Sequence, residues 1–495
     1  MRGSTSLNDT LRKIVLVFAV ICASEAGVRP LLAQTSTAPI ELDTVTPSSS
    51  VAGALGTQSP FLGSVPTGTA TGTVLPLSLN DALDRGLKYN LGLIESDVRT
   101  RTARAARLKD LNELLPNVNA SLSQTVEQVN LRALGFNFSF PGVSIPVVVG
   151  PFGVQDVRGS VSQKIFDWNS IEQLKASDER LKASQATYKS ARDLVVLAVS
   201  NAYLQVIADQ ANTESQRAQV ATSQALYQRA RDQRSAGVAA RIDELRAQVE
   251  LQTQQQRLIA VQDQLAKDSL GLARVIGLPA GQKFKLTDAV AYAPLDGMTL
   301  DKALEDAYAN RADYRSAQLE LRGASLAKRA AVAENYPTVA TSANYGDTGP
   351  NFGNSHGTFA VSASLNVPIF QGTRVKADVL DADATLQQKQ AELDDLKGRI
   401  DQDVRSALLD LTSASDLVKV ARSNVDLARE TLTEAQDRFT AGVSDNIEVV
   451  QAQESVAASD QAYISSLFAY NISKVQLARA SGIAEQSVRA YLGGR

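Results

Sequence analysis

Cysteine, histidine and tryptophan are nearly missing from this chain of 495 residues, which holds one of each: Cys22, His356 and Trp168. A single cysteine permits no intrachain disulfide and no cysteine-based zinc site. A single histidine excludes His-paired metal sites and argues against a Ser-His-Asp centre. Excess charge of one sign is also absent: 50 Lys+Arg stand against 53 Asp+Glu, for a net charge of −3. That balance argues against an electrostatic nucleic-acid partner. Aromatics make up only 5% of the chain beside 44% hydrophobic residues, so the apolar content is mostly Ala, Leu and Val. Those are residues of helix seams and strands rather than of pockets. Glycine and proline are present at ordinary levels, so the bulk of the chain is neither collagenous nor disordered. Past the first residues no stretch approaches eighteen uninterrupted apolar residues, so no membrane helix is expected in the mature chain.

What is present begins with an export signal. Arg12-Lys13 supply its positive end, and a short apolar run over 14–23 precedes two cleavage candidates, after Ala26 or Ala33. Residues 1–33 are therefore expected to be removed. Ile21 before Cys22 is larger than the small residue that lipidation at a cysteine usually needs. Residues 34–76, rich in Ser, Thr, Gly and Pro, read as an extended linker.

The rest of the chain repeats itself. Leu79-Asn80-Asp81-Ala82-Leu83 recurs as Leu300-Asp301-Lys302-Ala303-Leu304, an offset of 221 that also links Pro116 to Pro337. Ile165-Phe166 recurs as Ile369-Phe370 at an offset of 204, and Ala236-Gly237-Val238 as Ala441-Gly442-Val443 at 205. Two copies of one unit follow, over 77–277 and 298–482, joined by a Pro- and Gly-punctuated connector at 278–297 and trailed by a short tail at 483–495. The first copy differs mainly by a hairpin loop about 17 residues longer.

Each copy reads as helix, two strands, very long helix, Gly turn, helix. In the second copy Ile400, Val404, Ala407, Leu411, Ala414, Val418, Ala421, Val425, Ala428, Leu432, Ala435 and Phe439 alternate steps of four and three. That period of 3.5 implies a left-handed supercoil, and the alanines let helices approach closely. The first copy keeps the pattern at Val195, Val199, Ala202 and Val206, then loosens at Asp209, Thr213 and Gln216. Helices over 169–236 and 373–441 would each run roughly 100 Å, too long for a compact globular domain. Flanking helices over about 78–115 and 238–276 are half as long.

The second strand of each copy, 156–165 and 358–367, alternates polar and apolar residues over about ten positions, the pattern of an outer-membrane barrel strand. The first strands, 119–130 and 338–345, alternate less well. Ordinary hairpins on a soluble sheet are the alternative. Four strands cannot close a barrel and lipid tolerates no open edge, so membrane-spanning strands would require several chains; three would supply twelve strands.

The motifs carry a resemblance. Glu113-Leu114-Leu115-Pro116 and Glu334-Asn335-Tyr336-Pro337 mark the helix-to-strand junctions. Val367-Pro368-Ile369-Phe370-Gln371-Gly372 marks the strand-to-helix return, with Gln163-Lys164-Ile165-Phe166-Asp167 as its first-copy equivalent. An Ala-Gly-x-x-x-x-Ile-Asp/Glu turn occupies 236–243 and 441–448. In order and duplication, over residues 77–482, the chain resembles the TolC-like outer membrane efflux protein family. The first return departs from it, with Lys164 in place of a common Pro and Trp168 in place of a Gly.

The resemblance implies a mainly α fold with a transmembrane β-barrel portion: a homotrimer sharing one twelve-stranded barrel in outer-membrane lipid, continued by a helical tunnel across the periplasm of a Gram-negative type bacterium. It implies a passive exit channel of a tripartite efflux or type I secretion system, docked by a periplasmic adaptor and an inner-membrane pump. The rival reading is an exported periplasmic coiled-coil adaptor or structural protein without a barrel. No catalytic constellation, cofactor motif or metal-ligand set is found, so neither enzyme activity nor a cofactor is expected.

The resemblance also places Gly237 and Gly442 at the periplasmic tip, with Arg241, Asp243, Asp445 and Glu448 beside them. An inward-facing Glu448 would form a ring of three carboxylates, favouring cations and open to gating by ion-pair rearrangement. Helix capping is the alternative, since Asp445-x-x-Glu448 is a near capping box and acids suit a first turn. Asp156, Arg158 and Lys164 would face the barrel lumen if the apolar strand face meets lipid. Phe166 and Trp168 would lie at a barrel end, as interface anchors or as ordinary packing. The apolar loop over 131–151, with Phe136, Phe138, Phe140 and Pro141, would be extracellular, and His356 would sit exposed in the opposite loop.

Overall fold

The computed structural model describes residues 59–135, 146–238, 240–288, 292–295, 298–441, 443–444 and 446–492. The export signal with Cys22, most of the linker, the aromatic part of the apolar loop, Gly442 and Asp445 lie outside the described residues.

The first copy runs β1 (Leu75–Leu77), α1 (Leu79–Tyr89), α2 (Leu91–Asn112), β2 (Asn117–Asn130), β3 (Val148–Phe166), α3 (Trp168–Ser235) and α4 (Arg241–Val275). The second runs β4 (Phe284–Leu286), α5 (Leu300–Asn310), α6 (Ala312–Ala333), β5 (Thr338–Gly349), β6 (His356–Asn366), α7 (Arg374–Thr440) and α8 (Asn446–Ala480). A last helix, α9 (Ala484–Leu492), occupies what reads in sequence as a plain tail.

The helix expected over 78–115 is two. A capping box starts α1, with the Ser78 hydroxyl accepting from the Asp81 N–H at 3.1 Å and Asp81 Oδ2 accepting from the Ser78 N–H at 3.2 Å. The chain then leaves helical geometry at the fully buried Asn90 (φ −65°, ψ 133°). Asn90 donates to the Phe61 carbonyl at 2.7 Å and caps α2 by accepting from the Gly92 N–H at 3.0 Å. The second copy breaks at Arg311, 6% exposed, whose guanidinium pairs with Asp313 at 2.7 Å and Asp403 at 3.0 Å. A buried polar residue with all its partners in place makes a helix break that propensity alone does not reveal.

The linker is likewise more than a linker: a 3₁₀ turn at Pro60–Leu62 packs on α2, and β1 pairs in parallel with β4, Leu75 opposite Phe284 and Leu77 opposite Leu286. Linker and connector thereby meet around the main core, where Leu77, Leu83, Val195, Val199, Tyr203, Leu272 and Val475 are buried together. The Tyr203 hydroxyl ties it off, its single proton shared between the Leu77 carbonyl and Asp288, each 3.0 Å away.

Both long helices form, with 68 and 67 residues. The 3.5-period seam of α7 is buried from Ile400 to Ala428, with Ala435 buried and Leu432 and Phe439 packed beside it. The loosened part of α3 keeps the same seam with polar residues: Asp209, Thr213 and Ser223 are buried, and the Gln216 amide donates to Gln254 Oε1 of α4 at 2.6 Å. Helix α2 lies along the first part of α3 (Arg107–Asp178, 2.8 Å) and α4 along the rest, so two short helices flank one long one. The most apolar eighteen-residue window among the described helices is in α3, and 61% of it is buried, which marks a core helix.

Gly482 turns the chain from α8 into α9 at φ 73°, with any Cβ there meeting the Arg311 backbone nitrogen at 2.6 Å. Neither the backbone strain nor the clash can be relieved by a rotamer. Gly482→Ala is expected to lower the thermal unfolding midpoint far more than Gly281→Ala, which shares a positive φ of 84° but faces open space and so carries only the strain, about 1–2 kcal/mol.

Candidate functional site

Strands β2, β3, β5 and β6 form one antiparallel sheet in that order. Register decides its chemistry. Val118 stands opposite Val161, Leu122 opposite Val157, Val161 opposite Ala343, Tyr345 opposite Phe359 and Ala343 opposite Val361. Strand residues alternate faces, so these apolar side chains share one face. That face is bare: Leu122, Tyr345, Phe359 and Val361 are 68%, 69%, 78% and 72% exposed. The opposite face carries Asn119, Ser121, Ser160, Ser162, Ser342 and Ser362.

Strand β2 begins at Asn117, two residues before its expected start, and from there Val118, Ala120, Leu122, Gln124 and Val126 alternate with Asn, Ser, Thr and Glu. Strand β2 thus alternates except at Gln124, whereas β5 alternates less well, as expected, with Thr341 and Asp347 on the face of Tyr345 and Ala340 on the polar one. Strand β3 is longer than expected because the first hairpin continues beyond β5: residues 148–154 pair with β2 alone. His356 opens β6 opposite Thr348 rather than lying in the loop, and is exposed.

Of the three charges expected on the polar face, two act together. Arg158 pairs with Asp156 at 3.1 Å and donates to Asn344, to Thr348 at 3.3 Å and to Thr358 at 3.4 Å, bracing three strands. Lys164 lies apart at the strand end, bound to Glu113 at 2.8 Å and Asp167 at 3.2 Å. The second copy repeats this tie with Arg374 and Glu334 at 3.2 Å. The motif glutamate after each helix thus pairs with a cation at the strand-to-helix return, Lys164 near the end of β3 and Arg374 at the start of α7. Phe166 and Trp168 sit 6.1 Å apart at the same junction, with Lys175 over the Trp168 ring at 5.5 Å.

At the opposite end α3 turns into α4. Gly237 has φ 74°, the Val238 N–H donates to the Gln233 carbonyl at 3.0 Å and the Gly237 N–H to the Arg234 carbonyl at 2.9 Å, a left-handed helix ending. In the second copy Val443 N–H closes on the Arg438 carbonyl at 3.0 Å. Each turn is clamped by an arginine and a glutamate ten residues on: Arg234 with Glu244, and Arg438 with Glu448 at 3.4 Å. Glu448 also stands in the first turn of α8 and Asp243 in that of α4, where the helix dipole favours an acid. Asp243 meets Arg246 at 3.7 Å, and Arg241 is exposed at the start of α4. Sequence reading missed the arginine partners, although an arginine ten residues ahead of an acid across a Gly turn was the available signal.

Between α4 and α8 beside this turn lies an apolar groove of about 350 Å³ lined by Ile242, Leu245, Val249, Ile447 and Val450. A larger cleft, about 850 Å³ between α2, α3, α6 and α9, is charged instead. Its ions largely pair with one another or with neighbours: Arg192 with Glu485, Arg489 with Asp84, and Asp97 with Arg101. Burial there pushes Asp193 up to about 6.

Comparison with known proteins completes the picture. The model of a family described as outer membrane efflux protein matches residues 94–278 and 303–483, one match in each copy. The toluene efflux pump outer membrane protein TtgC of Pseudomonas putida is 26% identical over 320 residues, covering 61% of this chain and 63% of that one, so the alignment spans under two thirds of that relative. The toluene efflux pump outer membrane protein TtgF of the same species is 22% identical over 412 residues, covering 82% and 83%. The crystal structure of the Campylobacter jejuni CmeC outer membrane channel superimposes with a TM-score of 0.72 at 16% identity, over 82% of this chain and 86% of that one.

Because Arg438 and Glu448 are both about half exposed, their pair is worth at most about 1 kcal/mol after solvent screening. Arg438→Ala should raise amide exchange over 438–448 severalfold while leaving the thermal midpoint nearly unchanged, and molar salt should do the same to the wild-type chain.

Proposed function

Because this chain belongs to the outer membrane efflux protein family, we propose that it is the exit duct of a tripartite efflux or type I secretion system, conducting passively what an inner-membrane pump and a periplasmic adaptor deliver. As a family member it is an outer-membrane protein that reaches into the periplasm. One observation carries the functional reading: a four-stranded sheet that is apolar and bare on one face, polar on the other, and open at both edges. In water such a face is a liability; against lipid it is the outer wall of a barrel whose polar face lines the pore.

Open edges demand more strands, and three copies would supply the twelve that the family resemblance implies. Exposed apolar residues support neighbours along the helices as well: Leu409, Leu417 and Leu427 on α7, and Ile259 and Leu270 on α4, away from the groove. In this reading Asp156 and Arg158 line the pore, while Lys164 holds the barrel rim to the helices. The turn at Gly237 and its counterpart ahead of Glu448 are the periplasmic tip, where Glu448, Asp243 and Arg241 constrict the exit; Gly442 and Asp445 lie outside the described residues. The Arg438 and Arg234 clamps hold the tip closed, and docking of the adaptor in the apolar groove beside them releases it. No catalysis is assigned, since pumping is the partner's work.

Two measurements test this. Light scattering of the detergent-extracted protein should give about three chain masses; a monomer that stays folded without detergent would remove the shared barrel and favour an exported coiled-coil protein. Val361→Arg places a charge on the face assigned to lipid, at a cost of about 2–4 kcal/mol near the bilayer midplane. Assembly into vesicles should fail for that variant and proceed for Ser362→Arg, whose side chain points the other way.

A further inference from the structure

The helical hairpin formed by α3 and α4 in the first copy contains a feature the conduction reading does not use. Asp209, on the seam of α3, is 5% exposed. Its Oδ1 accepts from the Gln205 amide at 3.0 Å, while its Oδ2 is buried with no donor facing it. What faces it is another carboxyl, that of Asp268 on α4, which itself accepts from the Gln264 amide at 2.8 Å. Two carboxylates cannot hydrogen-bond to each other; the donor missing at this contact is a proton.

We infer that a protonated Asp209 donates to Asp268 across the α3–α4 interface, and that losing this proton loosens the helical hairpin, a carboxyl joint that the first copy has and the second lacks. The contrast comes from the duplication: at the 205-residue offset, Ala414 stands where Asp209 stands and Ser473 where Asp268 stands.

The surroundings leave the pair to itself. Lys267 of α4 is engaged with Asp263 at 2.6 Å on the outer surface, both more than half exposed. By the antiparallel register that the Ser215–Asp460 hydrogen bond sets, α8 presents residues 463–468 at this level, and Tyr463 is their one titratable group. Burial, then the Asp268 carboxyl, push Asp209 up to about 7, with Gln205 opposing. The sign follows from that direction. The closed hairpin keeps a proton that the opened one, with Asp209 near its ordinary value of about 3.9, has lost; closure is therefore strongest in acid and weakens as pH rises to about 7, beyond which both states are ionised and the effect levels off.

Hydrogen exchange of the full chain in detergent, corrected for intrinsic exchange rates, reads this directly. Protection over 205–213 and 264–272 should fall about tenfold per pH unit between about pH 5 and 7 and then flatten, while the matching segments of α7 and α8, which hold no such carboxyl pair, should not show this fall. Asp209→Asn should abolish the dependence. Asp268→Asn supplies a neutral donor to Asp209 and should move the transition below pH 5, which keeps the test decisive if the first variant folds poorly. A pH-independent wild-type hairpin, or one whose pH response survives in both variants, would overturn the inference.

Discussion

Every backbone N–H and C=O placed in hydrocarbon must find its partner within protein. The sheet of this chain satisfies that condition across β2–β3, β3–β5 and β5–β6 and fails it at the outer edges of β2 and β6. With one face apolar and bare, the sheet suits neither water nor lipid as a single copy. In the proposed channel, the membrane location and the edges left open among the described residues together make association a structural requirement. The proposed wall of several copies would need helices beneath it that also present faces to neighbours, and α4 and α7 carry exposed apolar residues suited to that.

The junction between wall and helices depends on a small set of charges. Glu113 with Lys164, and Glu334 with Arg374, occupy the same place in both copies although the cation differs and comes from a different point of the return. What duplication has kept is an anion after the helix and a cation at the strand-to-helix return, rather than the residue that provides it. The helix breaks behave likewise. Asn90 and Arg311 are unrelated side chains, yet each is buried, fully bonded and placed where the entering helix must change direction onto its long partner.

The two hairpins show where the copies have parted. The α7–α8 seam is apolar and close-packed, and its tightness is a matter of burial. The α3–α4 seam keeps the same spacing with glutamine, threonine, serine and aspartate, and its tightness depends on hydrogen bonds, including one that needs a proton. Apolar packing is indifferent to pH and a buried carboxyl pair is not, so near-identical backbones acquire different responses from a few seam positions.

Much of the fold was legible because it is periodic. A strict 3.5 repeat gave the long helix of the second copy almost to the residue, internal offsets gave the duplication, and period-two alternation gave the strands whose polar and apolar residues are unmixed. Of the site, Gly237 and the acids near it could be named from the turn motif, since positive φ and a helix start leave local marks. What could not be read were relations between distant residues: that Lys164 belongs to the strand–helix tie and not with Asp156 and Arg158, that Arg438 closes on Glu448, that Asn90 breaks a helix by bonding to Phe61, and that Asp209 faces Asp268. The sequence alone determined the long helices, the four strands of the sheet and which strand face is apolar, because those depend on neighbours within a few residues. Which charges pair, which polar groups are buried and which edges stay open were decided only by the tertiary structure, because hydrogen bonds and ion pairs act over a few ångströms and only folding brings residues far apart in the chain within that reach.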